Sequence, residues 1–333
     1  MMNILITGAA GQDGVFLTRR ILNSSTNTRI IALGRHRGKF FKRLSVLGGP
    51  EMTRLFETRG EFLEGDVTDR ATIINGLETH KPEVIFHLAA VVESLMLPGN
   101  DSKLIHQNMN GLLYILEACD QLQIYPHIIN AGSSLMIGNA QESKVDETTP
   151  FRPKTPYGIA KVAAHQFADS YRTYKGQRVS TAILFNHESI FREERWLPIK
   201  IIRGAVRIKT NAASRLALGT LNSARDWCAA EDVVDGLYRI MACQSVNEDF
   251  LLGAGKLTTV TELLESVFGY LDLDWRDHVD VDKSHDRTND VRGIYPDISK
   301  AAKYLDWQPR QSTDHWLGEI IDYHLAISSK APS

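Results

Sequence analysis

The chain has 333 residues, longer than a minimal fold needs and suited to one nucleotide-binding domain carrying a smaller substrate-binding portion. Hydrophobic residues make up 43% and charged residues 23%, as in a globular protein with a real core. The formal net charge of -2 is spread over both signs, which argues against a nucleic-acid partner and against a polybasic membrane surface.

The first apolar run, Ile4-Leu5-Ile6, is too short for a signal peptide and lacks its basic flank. No run of about 20 apolar residues offers a membrane span. Cys119, Cys228 and Cys243 lie far apart with no CxxC pair, so they read as reduced thiols of a cytoplasmic protein, and no metal site is expected.

From residue 3 onward, short apolar runs alternate with longer amphipathic ones, the rhythm of βαβ units around a parallel sheet. The spacing predicts a strand over 3–7, a helix over 14–23, and strands over 29–33, 61–64 and 84–87. A helix over 108–122 comes after them, in which Leu112, Ile115, Leu116 and Cys119 share one face as packing residues. Strands over 126–131 and 179–184 come next. Ile128-Ile129 and Val84-Ile85-Phe86 are apolar throughout, as a parallel sheet buried on both faces demands. After about residue 186 the alternation breaks; Pro198, the polar stretch 209–214 and a loop over 222–226 predict excursions that cover a site. A last sheet strand is expected at 249–252, then a small, charged helical portion from about 257 to 327.

The expected fold class is therefore α/β, a doubly wound parallel sheet with a smaller, discontinuous, mainly helical substrate-binding portion. The expected division is 1–186 plus about 231–255 for the sheet domain, about 187–230 plus 256–327 for the substrate portion, and 328–333 as a flexible tail.

Thr7-Gly8-Ala9-Ala10-Gly11-Gln12-Asp13-Gly14 follows the first strand and opens a helix, which makes the sheet Rossmann-type. Gly8, Gly11 and Gly14 allow the turn, let backbone approach a pyrophosphate, and aim helix N–H groups at its charge. A glycine-rich turn without a ligand would have the same composition, but the place directly after the first strand points to a dinucleotide. The second strand ends Leu33-Gly34-Arg35-His36-Arg37, with Lys39, Lys42 and Arg43 close behind and no acid to repel a 2′-phosphate. Arg35 and Arg37 can grip such a phosphate through paired hydrogen bonds, so the expected cofactor is NADP; solvated surface cations are the alternative. Asp66, in Gly65-Asp66-Val67 after the third strand, is either a partner for the adenine amino group or a solvated loop acid. Gln12, Asp13, Val67, Leu88-Ala89-Ala90, Tyr157, Lys161 and His187 complete the expected cofactor contacts.

Tyr157 and Lys161 form a YxxxK pair stacked on one helix face, with Pro156 marking the helix start. A lysine ammonium beside the tyrosine, with a cationic oxidised nicotinamide close by, is expected to lower the phenol toward neutrality. Tyr157 would then take a hydroxyl proton as hydride leaves, and return it in the reverse direction. YxxxK alone recurs by chance. Its weight comes from Ser133-Ser134, placed after a strand and 24 residues upstream of Tyr157, where a hydroxyl can bind the reacting oxygen.

These pieces together resemble the extended short-chain dehydrogenase/reductase family, across nearly the whole chain, and are most similar to its GDP-mannose 4,6-dehydratase branch. Ile6-Thr7-Gly8 with Gly11-Gln12-Asp13-Gly14 is similar to that branch's ITGxxGQDG. Glu147-Thr148-Thr149-Pro150-Phe151, Pro153 and Pro156-Tyr157-Gly158 with Lys161 resemble its ETTPFxPxSPYxxAK. Leu184-Phe185-Asn186-His187-Glu188-Ser189 matches its LFNHES, a specific string. Leu218-Gly219, Leu221 and Arg225-Asp226-Trp227 resemble LGNLxxxRDW, and Trp307 with Pro309 resembles a late WxP.

The resemblance implies a nucleotide-diphospho-sugar substrate, GDP-linked, bound between the two portions. It implies that Asn186, Lys200, Arg225 and Arg287 contact the nucleotide or diphosphate, with Ser134 near the sugar and His187 on the nicotinamide side. A diphosphate needs cations and a polar amide. For Arg287 a surface salt bridge is an equal alternative. Relatives pair through two helices per subunit, which implies a homodimer or homotetramer using the 108–122 helix and the Tyr157 helix, with the basic segment 35–43 as a second contact.

One departure matters. The branch runs STSELYG at its catalytic strand end, whereas this chain has Gly132-Ser133-Ser134-Leu135-Met136-Ile137-Gly138. Ser133 can stand for the threonine, but Leu135 occupies the glutamate position. Water loss needs a second acid/base for the C5 proton and the C6 hydroxyl, and its loss typically costs about 10²–10⁴-fold. One reading stops at reversible C4 oxidation, an epimerase or 4-ketoreductase needing only Ser133, Tyr157 and Lys161. Another recruits a different carboxylate, with Glu93 the best placed unless it is simply a solvent-exposed loop acid. Glu188 is less suited, because it belongs to the matched string. A non-catalytic NADP-binding regulatory module is a third reading, against which the intact Ser133, Tyr157 and Lys161 speak.

Overall fold

The computed structural model of the protein describes residues 1–91, 101–243, 245–282 and 293–329. Seven parallel strands form the central sheet: β1 (Met2–Thr7), β2 (Thr28–Gly34), β3 (Gly60–Glu64), β4 (Val84–His87), β5 (His127–Ala131), β6 (Val179–Leu184) and β7 (Phe250–Leu252). Their order is β7-β6-β5-β4-β1-β2-β3, so the direction of winding reverses between β1 and β4. At such a switch point the loops leave the sheet in opposite directions and open a crevice. Every expected sheet strand is present, within a residue or two. β5 begins at His127 because Pro126 has no N–H to donate to a neighbour. β7 begins at Phe250 because the Asp249 carboxylate, not its backbone, takes the Thr181 N–H at 2.9 Å.

The helices are α1 (Gln12–Ser24), α2 (Arg37–Arg59), α3 (Arg70–His80), α4 (Asp101–Leu122), α5 (Pro156–Lys175), α6 (Leu197–Lys209), α7 (Ala230–Ala242), α8 (Val260–Tyr270), α9 (Ser299–Leu305) and α10 (Thr313–Ser328). β1 shows how both sheet faces are covered. Ile4 and Ile6 enter a core with α1, α2 and α7, while Leu5 enters another with α3, α4 and α5. The α4 residues Leu112, Ile115, Leu116 and Cys119 are buried in the latter. α4 is already helical at Asp101, ahead of the stretch its apolar face predicts. Leu104 and Asn108 extend the buried side, and the Asn108 amide is satisfied by the carbonyls of Leu104 and Val91 at 2.9 and 3.0 Å.

A third large core joins α6, α8 and α10 to Trp227 and to the paired strands Leu216–Leu218 and Val279–Val281. Segments from three stretches of chain build it. Ala301, Leu305 and Trp307 do not belong to it. They pack into the core beneath α7, with Trp307 Nε1 donating to the Asp232 carbonyl at 2.9 Å, so the stretch 256–327 serves both sides of the molecule. α10 continues to Ser328, the first residue of the expected tail, where Ser328 Oγ donates to the His324 carbonyl. No helix among the described residues is long and apolar enough to cross a membrane.

Candidate active site

The loop after β1 packs directly on the loop after β4. Gly8 has φ +68, and a Cβ there would stand 2.7 Å from the Ala89 nitrogen. A Cβ on Gly14 would stand 2.6 Å from Ala9 Cα. No side chain could be accommodated without moving backbone. Gly14→Ala is accordingly expected to cost about 1–3 kcal/mol by overpacking; a denaturation midpoint equal to wild type would contradict the close approach.

Gly11 caps α1 without a side-chain hydrogen bond, which leaves the first-turn N–H groups for a ligand. Above them lies a cavity of about 280 Å³, lined by Gly8, Ala10, Gly11 and Gln12, by Leu33 to His36, by Gly65 to Thr68 and by Leu88 to Val91. Lys39, Arg43, Phe191 to Glu193, Arg195 and Trp196 close its sides. A glycine cradle, an uncapped helix end and several cations suit a dinucleotide with its phosphates.

Arg35 lines this cavity and stands 3.7 Å from Asp66, whose other oxygen accepts from the Thr68 N–H and hydroxyl at 2.9 Å. Arg37, expected beside Arg35, is not among the lining residues. It is the first residue of α2 and lies 5.1 Å over the Phe41 ring. Lys39 and Arg43, further along the helix, line the cavity instead. Arg43 donates to the carbonyls of Ala10 and Phe191 at 3.0 and 3.1 Å, tying the glycine loop to the segment on the far side.

On α5, Thr155 caps the helix by accepting the Gly158 N–H at 3.1 Å, and Pro156 occupies the first turn. This sets Tyr157 and Lys161 against the end of β5. Lys161 is 2% exposed; its ammonium donates to the Ala131 carbonyl at 2.9 Å and stands 5.7 Å from the Tyr157 ring centroid. Two residues past Ala131, Ser133 begins a 3₁₀ turn over Ser134–Met136, its hydroxyl accepting the Leu135 N–H at 3.3 Å. That turn presses on α5, since a Cβ on Gly158 would lie 2.5 Å from the Leu135 carbonyl. Ser133, Ser134, Tyr157 and Lys161 are thus gathered at one strand end.

In the protein alone, burial pushes the Tyr157 phenol well up, with the Arg192 charge opposing and Asp13 reinforcing; the lowering expected above needs the nicotinamide cation. The Lys161 ammonium is directed at Ala131, so the protein alone holds Tyr157 as a phenol. Burial also pushes Lys161 down to about 8. His87, bonded to Thr7 Oγ1 at 3.0 Å, is pushed down to about 3 by burial and by the Lys161 charge, and is neutral.

Two matched strings, far apart in sequence, are wired together. His187 Nε2 lies 3.0 Å from Asp13 Oδ1, and its Nδ1 lies 2.7 Å from the Phe185 carbonyl. Gln12 donates to the His187 carbonyl at 3.2 Å and accepts from Ser189 Oγ at 2.6 Å. Burial alone would depress the His187 imidazole, but the Asp13 charge and hydrogen bond raise it. The same partner pulls the Asp13 carboxyl below its ordinary value although burial opposes. Buried Glu188 pairs with Arg192 at 3.3 Å, which places Arg192 on the cavity wall.

The other expected substrate contacts lie beyond this cavity. Asn186 donates to the Asp226 carbonyl at 3.0 Å, and Arg225 donates to the Ala224 carbonyl at 2.7 Å. Lys200 is half-buried in the first turn of α6. Glu93 and Arg287 lie outside the described residues. Sequence reasoning missed Arg192, Trp196, Thr68 and Gln107 as lining residues. Arg192 could have been found by reading a few residues beyond the LFNHES string.

A dinucleotide cradle and a YxxxK helix meeting on one sheet mark an enzyme of the extended short-chain dehydrogenase/reductase class. More narrowly, the chain belongs to the GDP-mannose 4,6-dehydratase family: the family model described as GDP-mannose 4,6 dehydratase matches residues 5–320. GDP-mannose 4,6 dehydratase 1 of Arabidopsis thaliana is 32% identical over 335 residues, covering 98% of this chain and 90% of the relative. The fold is shared with UDP-glucose 4-epimerase of Thermotoga maritima, solved with UDP-glucose (TM-score 0.83, 22% identity, 98% and 100% of the two chains). It is also shared with RMD from Pseudomonas aeruginosa in complex with NADPH (TM-score 0.80, 17% identity, 98% and 100%).

Proposed function

We propose that the protein binds NADP and oxidises C4 of a GDP-linked nucleotide-diphospho-sugar, with Leu135 deciding the fate of the resulting 4-keto sugar. The observation that carries this reading is the anchored pair, Lys161 fixed to Ala131 and Tyr157 buried beside it, on a helix packed against the turn that follows Ser133. Arg35, Lys39 and Arg43 on the cavity wall, with no acid at the end of β2, favour NADP over NAD. The GDP-mannose relatives favour a GDP-linked sugar.

When bound, the cofactor supplies the hydride acceptor at C4. Tyr157 exchanges the proton of the C4 hydroxyl through its phenol oxygen. Ser133 donates a hydrogen bond to the same sugar oxygen. Lys161, an ammonium below about pH 8, keeps positive charge beneath the ring. Asp13 and His187 fix the glycine loop against the strand Asn186–Glu188, on which Asn186 meets the nucleotide side together with Arg225 and Lys200. α4 and α5, with Ile159 exposed on α5, would pair two copies, and a homodimer or homotetramer is the proposed assembly.

Leu135 favours a second reading of the outcome. Its turn sits against the Tyr157 helix where the branch carries glutamate, and a leucine cannot shuttle the C5 proton or assist the C6 hydroxyl. Incubation with GDP-mannose and NADP, or with the corresponding 4-keto sugar and NADPH, should then give epimerisation at unchanged mass or a gain of two hydrogens. Loss of one water by mass spectrometry would instead show dehydration and require another carboxylate, with Glu93 the first to replace. Leu135→Glu is expected to raise any dehydration; no gain would mean that the missing carboxylate is not the sole determinant. Absence of any nicotinamide absorbance change across nucleotide sugars would favour a binding module.

A further inference from the structure

Asp226 stands between Arg225 and Trp227 and is completely buried. Its carboxylate is wrapped by main chain. Oδ1 accepts the Ala254 N–H at 2.8 Å, and Oδ2 accepts the N–H groups of Gly255 and Lys256 at 2.8 and 3.2 Å. Its own carbonyl accepts the Asn186 amide at 3.0 Å. The loop is shaped for this grip: Gly255 has φ +75, and a Cβ on Gly253 would lie 2.7 Å from Asp226 Oδ1. Successive N–H groups converging on one carboxylate make a backbone nest.

The geometry around the nest links it to the substrate side. The loop leaves β7 and runs directly into the strand Thr258–Thr259, which pairs antiparallel with Ala224–Arg225, setting Arg225 opposite Thr258. On the other side of Asp226, Trp227 pairs with Asn186 in a parallel ladder. One carboxylate therefore joins the end of a sheet strand to both ladders that carry the polar groups of the nucleotide-sugar side. We propose that Asp226 is a positioning residue: through the 254–256 backbone and the Asn186 amide it sets where Arg225 and Asn186 stand, without itself touching substrate.

This rests on the proposed nucleotide-sugar reading, and the test separates the two. Asp226→Asn keeps one acceptor oxygen and turns an amide donor toward a backbone N–H. Calorimetric titration with GDP and GDP-mannose, fluorescence titration with NADPH, and steady-state kinetics would be run on wild type and variant. The expected result is GDP-mannose affinity and KM poorer by roughly 10- to 100-fold, with kcat at saturation and NADPH affinity kept. Equal GDP-mannose affinity in the variant would overturn the positioning role alone. A joint fall of kcat, NADPH affinity and folded fraction would also overturn it, as a purely structural effect. Wild type that binds neither GDP nor GDP-mannose would overturn the substrate reading and the proposal with it. Should Asp226→Asn fail to fold, Gly255→Ala strains the same loop and keeps the carboxylate; the same split between KM and kcat is expected, and its absence counts against the proposal.

Discussion

Tyr157→Phe is expected to lower turnover by roughly 10²–10⁴-fold, the usual loss when a positioned acid/base is removed. The change deletes a single oxygen from a side chain that is 7% exposed, so the ring keeps its packing on α5 and the helix keeps its Thr155 cap. NADP binding should be largely kept, because most of the cradle is built by the loops after β1 to β4. Cofactor titration and nicotinamide absorbance with a nucleotide sugar would separate these effects. Turnover retained by the phenylalanine variant would remove Tyr157 from the chemistry and refute the C4 mechanism.

Lys161→Met should act in opposite directions on activity and stability. Turnover should fall at least as far, since the charge beside the phenol is gone. Stability at pH 7 should rise. The Lys161 ammonium is buried, and burial pushes it from 10.5 to about 8. A base held below its unfolded value costs stability wherever it is protonated in both states. That cost is complete below about pH 8 and fades as pH climbs to 10.5. At 1.36 kcal/mol per unit it amounts to about 3 kcal/mol, of which leaving the Ala131 carbonyl unpaired returns about 1–2 kcal/mol. The methionine variant should therefore be about 1–2 kcal/mol more stable at pH 7, with the advantage lost near pH 10. Denaturant titrations at both values test this; a variant less stable at pH 7 would show that the ammonium is not strained. Wild-type activity should meanwhile decline above about pH 8 as the ammonium is lost.

The seven strands were legible because a parallel sheet covered on both faces leaves uninterrupted apolar runs. α2 was not, for a physical reason. Gly48, Gly49 at φ +68 and Pro50 interrupt it, and only Phe40, Leu44 and Phe56 are buried along its length, so no continuous apolar face announces a helix. The same blind spot affected the cations. Arg35 and Arg37 look equivalent as neighbours after a strand, but once α2 begins at Arg37 the helical turn carries that side chain to Phe41 and brings Lys39 and Arg43 to the cavity. The pairing of Asp13 with His187 links residues 174 apart. Their strings were readable one at a time, while the ion pair depends on how β6 runs into the strand Asn186–Glu188. The burial that raises the Tyr157 phenol in the protein alone was not legible either, because spacing shows which residues are neighbours and says nothing of how much water each retains.

The late entry of Trp307 into the core beneath α7 has a consequence for the chain as it leaves the ribosome. β1 to β6 are complete by residue 184, yet β7 comes only at Phe250 and Trp307 later still. A nascent chain therefore carries β6 as an open edge, able to pair with a neighbouring strand, through the synthesis of more than sixty residues. The core of α6, α8 and α10 cannot close until its last helix emerges. Vectorial synthesis therefore leaves both the sheet edge and this core open until the last third of the chain is made.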